Sequence, residues 1–181
     1  MIHLNIWSNL NSIFGDRFDN ISIATNLLIQ LKFKIKKISN FYETPSYPNK
    51  KSPKFLNIGI LGTFDNNYEE LFKIINLVEK KIGRLKSKKN DPRVCDVDVI
   101  DFNGNIINHK NFSIPHIKSH LRNFVLYPIN QIDPNWIHPV LKKNVKFLIN
   151  KLDLKSRLEI TRLNKNVNIK IWLITINWLN K

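Results

Sequence analysis

Apolar and polar positions along the chain change period several times, and each change marks an element. Ile2 to Trp7 alternates as a strand does, and Ser8-Asn9-Leu10-Asn11-Ser12 ends it with turn formers. Asp16 then caps a helix in which Phe18, Ile21, Ala24 or Thr25, Leu28 and Leu31 recur at helical spacing. Lys34 to Tyr42 alternates again, as a second strand. The stretch from Thr44 to Pro53 carries three prolines and reads as a long loop, a length that in compact domains usually serves function or motion. Phe55 to Phe64 is a third strand. Asn67 to Glu70 is close to a capping box, and Leu71, Ile74, Ile75, Val78 and Ile82 form a helical stripe that Gly83 stops. A basic loop, Arg84 to Asn90, leads to a fourth strand from Val94 to Phe102. Asn103-Gly104 predicts a tight hairpin into Asn105-Ile106-Ile107. Val140 to Leu152 suits an amphipathic helix, and Ile169 to Leu179 suits an edge strand or a short helix.

Strand, helix, strand, strand, helix, strand is the split βαβ order. It predicts an α+β, ferredoxin-like βαββαβ fold, a largely antiparallel sheet with both helices on one face, followed by a hairpin and a C-terminal extension. The open sheet face and the two long loops then offer a cleft. No internal repeat and no low-complexity linker divides the chain, so residues 1–181 read as one domain: a core over 1–152 and an extension over 153–181 to which no role is assigned.

Composition narrows the function classes. A formal charge of +15 raises the question of nucleic acid, but the excess is lysine scattered through the chain, with no basic stripe interleaved with aromatics. No specific nucleic-acid partner is expected. Cys95 is the only cysteine, which excludes an internal disulfide. No signal peptide opens the chain, and no apolar run reaches the ~20 residues that span a bilayer. A cytoplasmic protein with no membrane partner is the expectation.

Candidate chemistry collects in Asp91-Pro92-Arg93-Val94-Cys95-Asp96-Val97-Asp98-Val99-Ile100. Alternation sends Asp96 and Asp98 to one face and Cys95, Val97 and Val99 to the other. Two neighbouring carboxylates on an apolar backing suit a hard cation such as Mg²⁺, which is held by one or two carboxylates and substrate phosphates. Arg93 brings a fork that matches phosphate oxygens. The same alternation also fits an ordinary half-exposed strand, and Arg84, Arg122 and His116 have structural readings of their own.

The joint order of motifs resembles the 6-hydroxymethyl-7,8-dihydropterin pyrophosphokinases of folate synthesis. The resemblance runs from about Ile2 to Pro139. Its motifs are Ser8-Asn9-Leu10, Gly15-Asp16-Arg17, Tyr42-Glu43-Thr44-Pro45, Phe55-Leu56-Asn57, Glu79 with Gly83-Arg84, Pro92-Arg93 with Asp96-Val97-Asp98, and Pro115-His116 with Arg122 to Leu126. It implies transfer of the β,γ-pyrophosphoryl group of ATP, the co-substrate, to the pterin hydroxymethyl oxygen. Asp96 and Asp98 would hold two Mg²⁺ ions. Arg93 and Arg122, with Arg84, Lys86 and His116, would line the triphosphate or close over it, and Asn76 and Glu79 would lie on the nucleotide side. Arg93, Asp96, Asp98, His116 and Arg122 are thus the implied catalytic set. Thr44, Pro45, Asn57 and Asp96 match pterin-reading positions, and Phe55 and Phe124 the aromatic pair around the heterocycle, where stacking adds roughly 0.5–1.5 kcal/mol.

Three departures accompany the match. Trp7 stands where family members usually carry glycine, Asn11-Ser12-Ile13-Phe14 is an apparent insertion, and Asn90-Asp91 replaces the usual Trp-Gly before Pro92. A catalytically degenerate pterin-binding paralogue and a basic RNA-binding module of the same fold are the alternatives.

Overall fold

A computed structural model describes residues 1–46, 52–84, 92–109 and 112–169. Lys86 with its expected role, Asn90 and Asp91, half of the Thr44–Pro53 loop, most of the basic loop, and nearly all of the Ile169–Leu179 segment lie outside them.

The centre of the sheet is β1 (Ile2–Ser8), paired antiparallel with β4 (Phe55–Thr63) on one side and β5 (Asp96–Phe102) on the other. Beyond β4 lie β2 (Lys34–Ile38) and β3 (Tyr42–Thr44), which both pair with it. The strand order is thus that of a ferredoxin-like sheet, and every pairing is antiparallel. Ile2, Leu4 and Ile6 are wholly buried beneath α1 (Arg17–Gln30) and α2 (Tyr68–Lys81), together with Ile58, Ile60, Val97 and Val99. Asp16 caps α1 in a full capping box with Asp19, and the Asn67 side chain accepts from Glu70 N at 3.0 Å to open α2.

The expected second strand is two. Ser39 leaves the ladder: its Oγ accepts from Gly59 N at 2.9 Å while its own N–H donates to Gly59 O at 3.0 Å, and β3 resumes three residues later. The fourth strand starts at Asp96, not Val94, because the Arg93 backbone turns aside to bond Asn9 through both its N–H and its carbonyl. The Asn103-Gly104 turn forms, with φ of 56° and 74°, but the chain after it does not return along β5. Instead β6 (Ile107–His109) pairs with β7 (Phe112–Ile114) as a separate ribbon. Phe112 stacks on Phe72 of α2, ring centroids 4.1 Å apart, and this apolar contact draws the ribbon over the helix.

The second sheet face is not open along its whole length. A helix absent from the sequence reading, α3 (Asn123–Ile132), crosses it and packs with α4 (Val145–Lys151) and Trp136 into a second core around Ile100, Val125, Leu126 and Ile129. Gly59 permits the approach, since a Cβ there would lie 2.9 Å from Pro128. Pro128 has no N–H, so the Phe124 carbonyl lacks its helical partner. The buried Asn5 amide, turned toward it, donates to Phe124 O at 3.0 Å and Ile58 O at 3.1 Å. The helix expected from Val140 begins only at Val145, where Asn144 caps it, because His138 Nδ1 first holds Val140 N and Leu141 N in a turn.

The start of the extension joins the main sheet. After the short α5 (Leu154–Leu158), β8 (Thr161–Arg162) pairs with β3. Arg162 donates through Nε and Nη2 to Asn40 Oδ1, and Leu163 and Val167 pack on the main core.

Candidate active site

Cross-strand partners share a face, so register alone assembles the site. Tyr42, Asn57, Trp7 and Asp96 stand opposite one another across β3, β4, β1 and β5, and the next row holds Gly59, Asn5 and Asp98. The carboxylate pair is therefore one strand away from Asn57, on the half of this face that α3 leaves uncovered. The apolar backing expected for it exists: Cys95, Val97 and Val99 are buried in the main core.

Arginines surround the pair. Arg84 Nη1 lies 2.7 Å from Asp96 Oδ1, and Arg93 Nη1 2.8 Å from Asp96 Oδ2. Arg122 Nη1 is 3.8 Å from Asp98 Oδ2, and its guanidinium lies over the Phe124 ring at 5.4 Å. Burial, and then the Asp98 charge, raises the Asp96 pKa above the ordinary carboxylate range; burial raises that of Asp98 against the pull of Arg122. Both carboxyls are thus held at a cost that a nearby cation would relieve.

Glu79 lies behind them. It is 4% exposed, pairs with Arg84 and accepts from Val97 N at 2.8 Å. Burial and the neighbouring Asp96 push its pKa up to about 8, against the pull of Arg84. Expected on the nucleotide side, it lies buried behind Arg84, and its contacts make it a support for Arg84 and β5. Asn76 sits exposed on α2.

His116 is half-buried, and burial, then Arg122, lowers its pKa to about 4. Its Nδ1 accepts from Lys118 N at 3.3 Å, which leaves the ring proton on Nε2 of a neutral imidazole.

On the other side of Trp7, Asn57 Nδ2 donates to Tyr42 O and Thr44 Oγ1, each at 3.3 Å. Thr44 is buried, while Pro45, Phe55 and Phe124 are half-exposed rims. A cavity of about 500 Å³ near Asn9 and Lys54 adjoins this wall, but none of the expected pterin positions lines it.

Two residues carry more of the site than their sequence context suggested. Trp7 Nε1 donates to Asp98 Oδ2 at 3.4 Å, its ring meets Phe55 edge-on at 5.2 Å, and Arg93 lies over it at 5.6 Å. A large aromatic on the polar side of an alternating strand was the available signal. Asn9 holds Arg93, and both Asn9 Nδ2 and Arg93 Nε are buried donors without a partner among the described residues. Such unpartnered donors suit an acceptor-rich ligand such as a phosphate.

Among the described residues no group of three or more His, Cys, Asp or Glu side chains forms a metal cage. Two carboxylates beside cationic forks fit a cation that brings its own waters and a phosphate ligand.

Residues 4–134 match the model of the family described as 7,8-dihydro-6-hydroxymethylpterin-pyrophosphokinase. The chain is 36% identical over 141 residues to a folic acid synthesis protein of Dictyostelium discoideum, an alignment covering 78% of this chain and 21% of that one. It is 33% identical over 141 residues to the 2-amino-4-hydroxy-6-hydroxymethyldihydropteridine pyrophosphokinase of Aquifex aeolicus, covering 78% and 88%. The chain thus matches about a fifth of the first relative's length and most of the second's. The crystal structure of wild-type Plasmodium falciparum HPPK-DHPS shares the fold, with a TM-score of 0.66 at 16% identity over 89% of this chain and 47% of that one.

Proposed function

This chain belongs to the 7,8-dihydro-6-hydroxymethylpterin-pyrophosphokinase family of folate synthesis, and we propose that it performs the family's transfer through Asp96 and Asp98 on a Mg²⁺-dependent site. The hydroxymethyl oxygen gives its proton to solvent and bonds to the β-phosphorus of ATP, the bond from that phosphorus to the α–β bridging oxygen breaks, and AMP leaves with the oxygen. The observation that supports this reading is the row Asn57–Trp7–Asp96, in which only β1 separates Asn57 from the carboxylate pair and its arginines.

Asp96 and Asp98 would hold the metal, two ions in this reading, which when bound neutralises charge on the phosphate oxygens and acidifies the acceptor hydroxyl. Asp96 now gives both oxygens to arginines. With a cation held on Asp96, Arg84 and Arg93 would be free to turn to the triphosphate, whose oxygens would accept from Arg93 Nε and Asn9 Nδ2. Neutral His116 donates from Nε2 to a phosphate oxygen without adding charge. Phe55 and Phe124 flank the heterocycle, Asn57 and the Thr44–Pro45 backbone read its edge, and the aromatic wall keeps water from the reacting oxygen.

The partners in this reading are small molecules, ATP and the hydroxymethyl pterin, with no nucleic acid or membrane. No helix among the described residues is long and apolar enough to cross a membrane, and we place the reaction in the cytoplasm. The test is AMP release from ATP in Mg²⁺, with and without 6-hydroxymethyl-7,8-dihydropterin. Pterin-dependent AMP is expected; its absence while pterin still binds would leave a catalytically degenerate binding protein.

A further inference from the structure

We propose that Trp7 is a positioning residue of the reaction: its indole N–H turns the Asp98 carboxylate so that Oδ1 faces the cation, while its ring braces Phe55 against the heterocycle. The inference rests on the reading of Asp98 as a metal ligand given above.

Trp7 lies in β1 between the two halves of the site, opposite Asn57 on one side and Asp96 on the other. Its Nε1 is a donor only, and it reaches diagonally to Asp98 Oδ2 at 3.4 Å. Arg122, at 3.8 Å, approaches the same oxygen. Both contacts therefore fall on Oδ2, and among the described residues Oδ1 takes no hydrogen bond. Asp96 differs, since each of its oxygens meets a guanidinium. Asp98 is thus the carboxylate with an oxygen ready for a cation, and Trp7 is the fixed group that orients it. Arg122 reaches Asp98 from a long flexible stem, whereas the indole is held edge-on against Phe55 at 5.2 Å with Arg93 over its other side. One rigid ring therefore links the residue that flanks the heterocycle to the residue that binds metal.

The two roles of the ring separate by substitution. Trp7→Phe keeps an edge for Phe55 and removes the N–H. Trp7→His restores a ring N–H at the cost of area. Mn²⁺ affinity is read by electron paramagnetic resonance in the presence of a non-hydrolysable ATP analogue, and pterin affinity by calorimetry. Trp7→Phe is expected to weaken Mn²⁺ binding several-fold while pterin affinity stays within about twofold, and Trp7→His to recover much of the Mn²⁺ affinity. Equal losses of Mn²⁺ and pterin in Trp7→Phe, or Mn²⁺ binding within twofold of the parent, would overturn the proposal. Should Trp7→Phe not fold, the 5-fluorotryptophan protein gives a second reading: addition of Mg²⁺ to its complex with the same ATP analogue must shift the Trp7 fluorine resonance, and an unmoved resonance would overturn it equally. Failure of the functional reading is distinguishable, because it shows as a parent protein that releases no pterin-dependent AMP. A parent that turns over, with Mn²⁺ binding unaffected by Trp7→Phe, sinks this inference alone.

Discussion

Strand β5 carries a half-buried carboxylate, Asp98, toward one end and a buried one, Asp101, toward the other, and an indole N–H reaches each: Trp7 lies 3.4 Å from Asp98, Trp136 2.8 Å from Asp101. Their other partners differ in kind. Asp101 accepts from Gly104 N at 2.7 Å and faces the 2%-exposed His3, whose pKa burial lowers and whose Nε2 meets Asp133 at 3.0 Å. Neutral donors on the backbone and on packed rings hold it, and the second core seals it in. Asp96 and Asp98 instead meet guanidinium groups on long side chains at the uncovered end of the face. A carboxylate held by fixed neutral dipoles is part of the architecture. One held by mobile cations can exchange them for a metal and a triphosphate, which is what a site requires.

The sharpest way to break that comparison is to truncate one carboxylate at each end. Asp98→Ala is expected to lower the rate of AMP release by about 10²- to 10³-fold or more, in the range for losing a preorganised charge-stabilising group. Its thermal midpoint without metal should hold or rise, since the deleted carboxyl was buried at a cost. Near-parental turnover in Mg²⁺ would erase the distinction. Asp101→Ala should do the reverse. It strands Trp136 Nε1 and Gly104 N, and chemical denaturation should show a loss of ~1–3 kcal/mol, while the folded fraction retains its kcat. Lost turnover at unchanged stability would make Asp101 part of the site.

A smaller effect concerns pH. The folded-state pKa of Glu79 is raised from 4.5 to about 8, so the folded chain holds that proton more tightly than the unfolded one. The stability it contributes is present below about 4.5 and lost as pH rises toward about 8. The melting temperature of the metal-free protein should therefore fall across that window. Glu79→Gln should flatten the fall, though not abolish it, because Asp96 and Asp98 are raised as well. Parallel melting curves for the two proteins would remove Glu79 from the charge balance of the site.

Much of this arrangement was legible without coordinates, because its causes are local. The Asp16 cap, the stripe of α2 and the Asn103-Gly104 turn follow from side chains acting on their own backbone within a few residues. The failures share another origin. Lys34 to Tyr42 carries one alternating pattern, yet Ser39 breaks the ladder with a hydroxyl that no period records. Asn123 to Ile132 contains Pro128 and reads poorly as a helix, and it is stabilised by Asn5 from a different strand and by the space above Gly59. The β6–β7 ribbon goes where Phe72 and Tyr68 offer apolar surface, not where its turn pointed.

By itself, the order of residues determined that Asp96 and Asp98 share a face, that Val97 and Val99 back them, and that arginines flank them in the chain, since a strand's period is built into its backbone. It also carried the motifs that place the chain in its family. Only the tertiary structure decided which carboxylates stand beside arginines and which are sealed in the core. A bulge between His3 and Leu4 shifts the register, so that Asp101, which strict alternation would send toward α1 and α2, turns to the same face as Asp96 and Asp98. The second core then closes over Asp101 and stops short of Asp98, while Trp7, 91 positions away in sequence, comes within reach of Asp98. Strand register and the placement of α3 are set by packing summed over the whole molecule, and no local pattern encodes that sum.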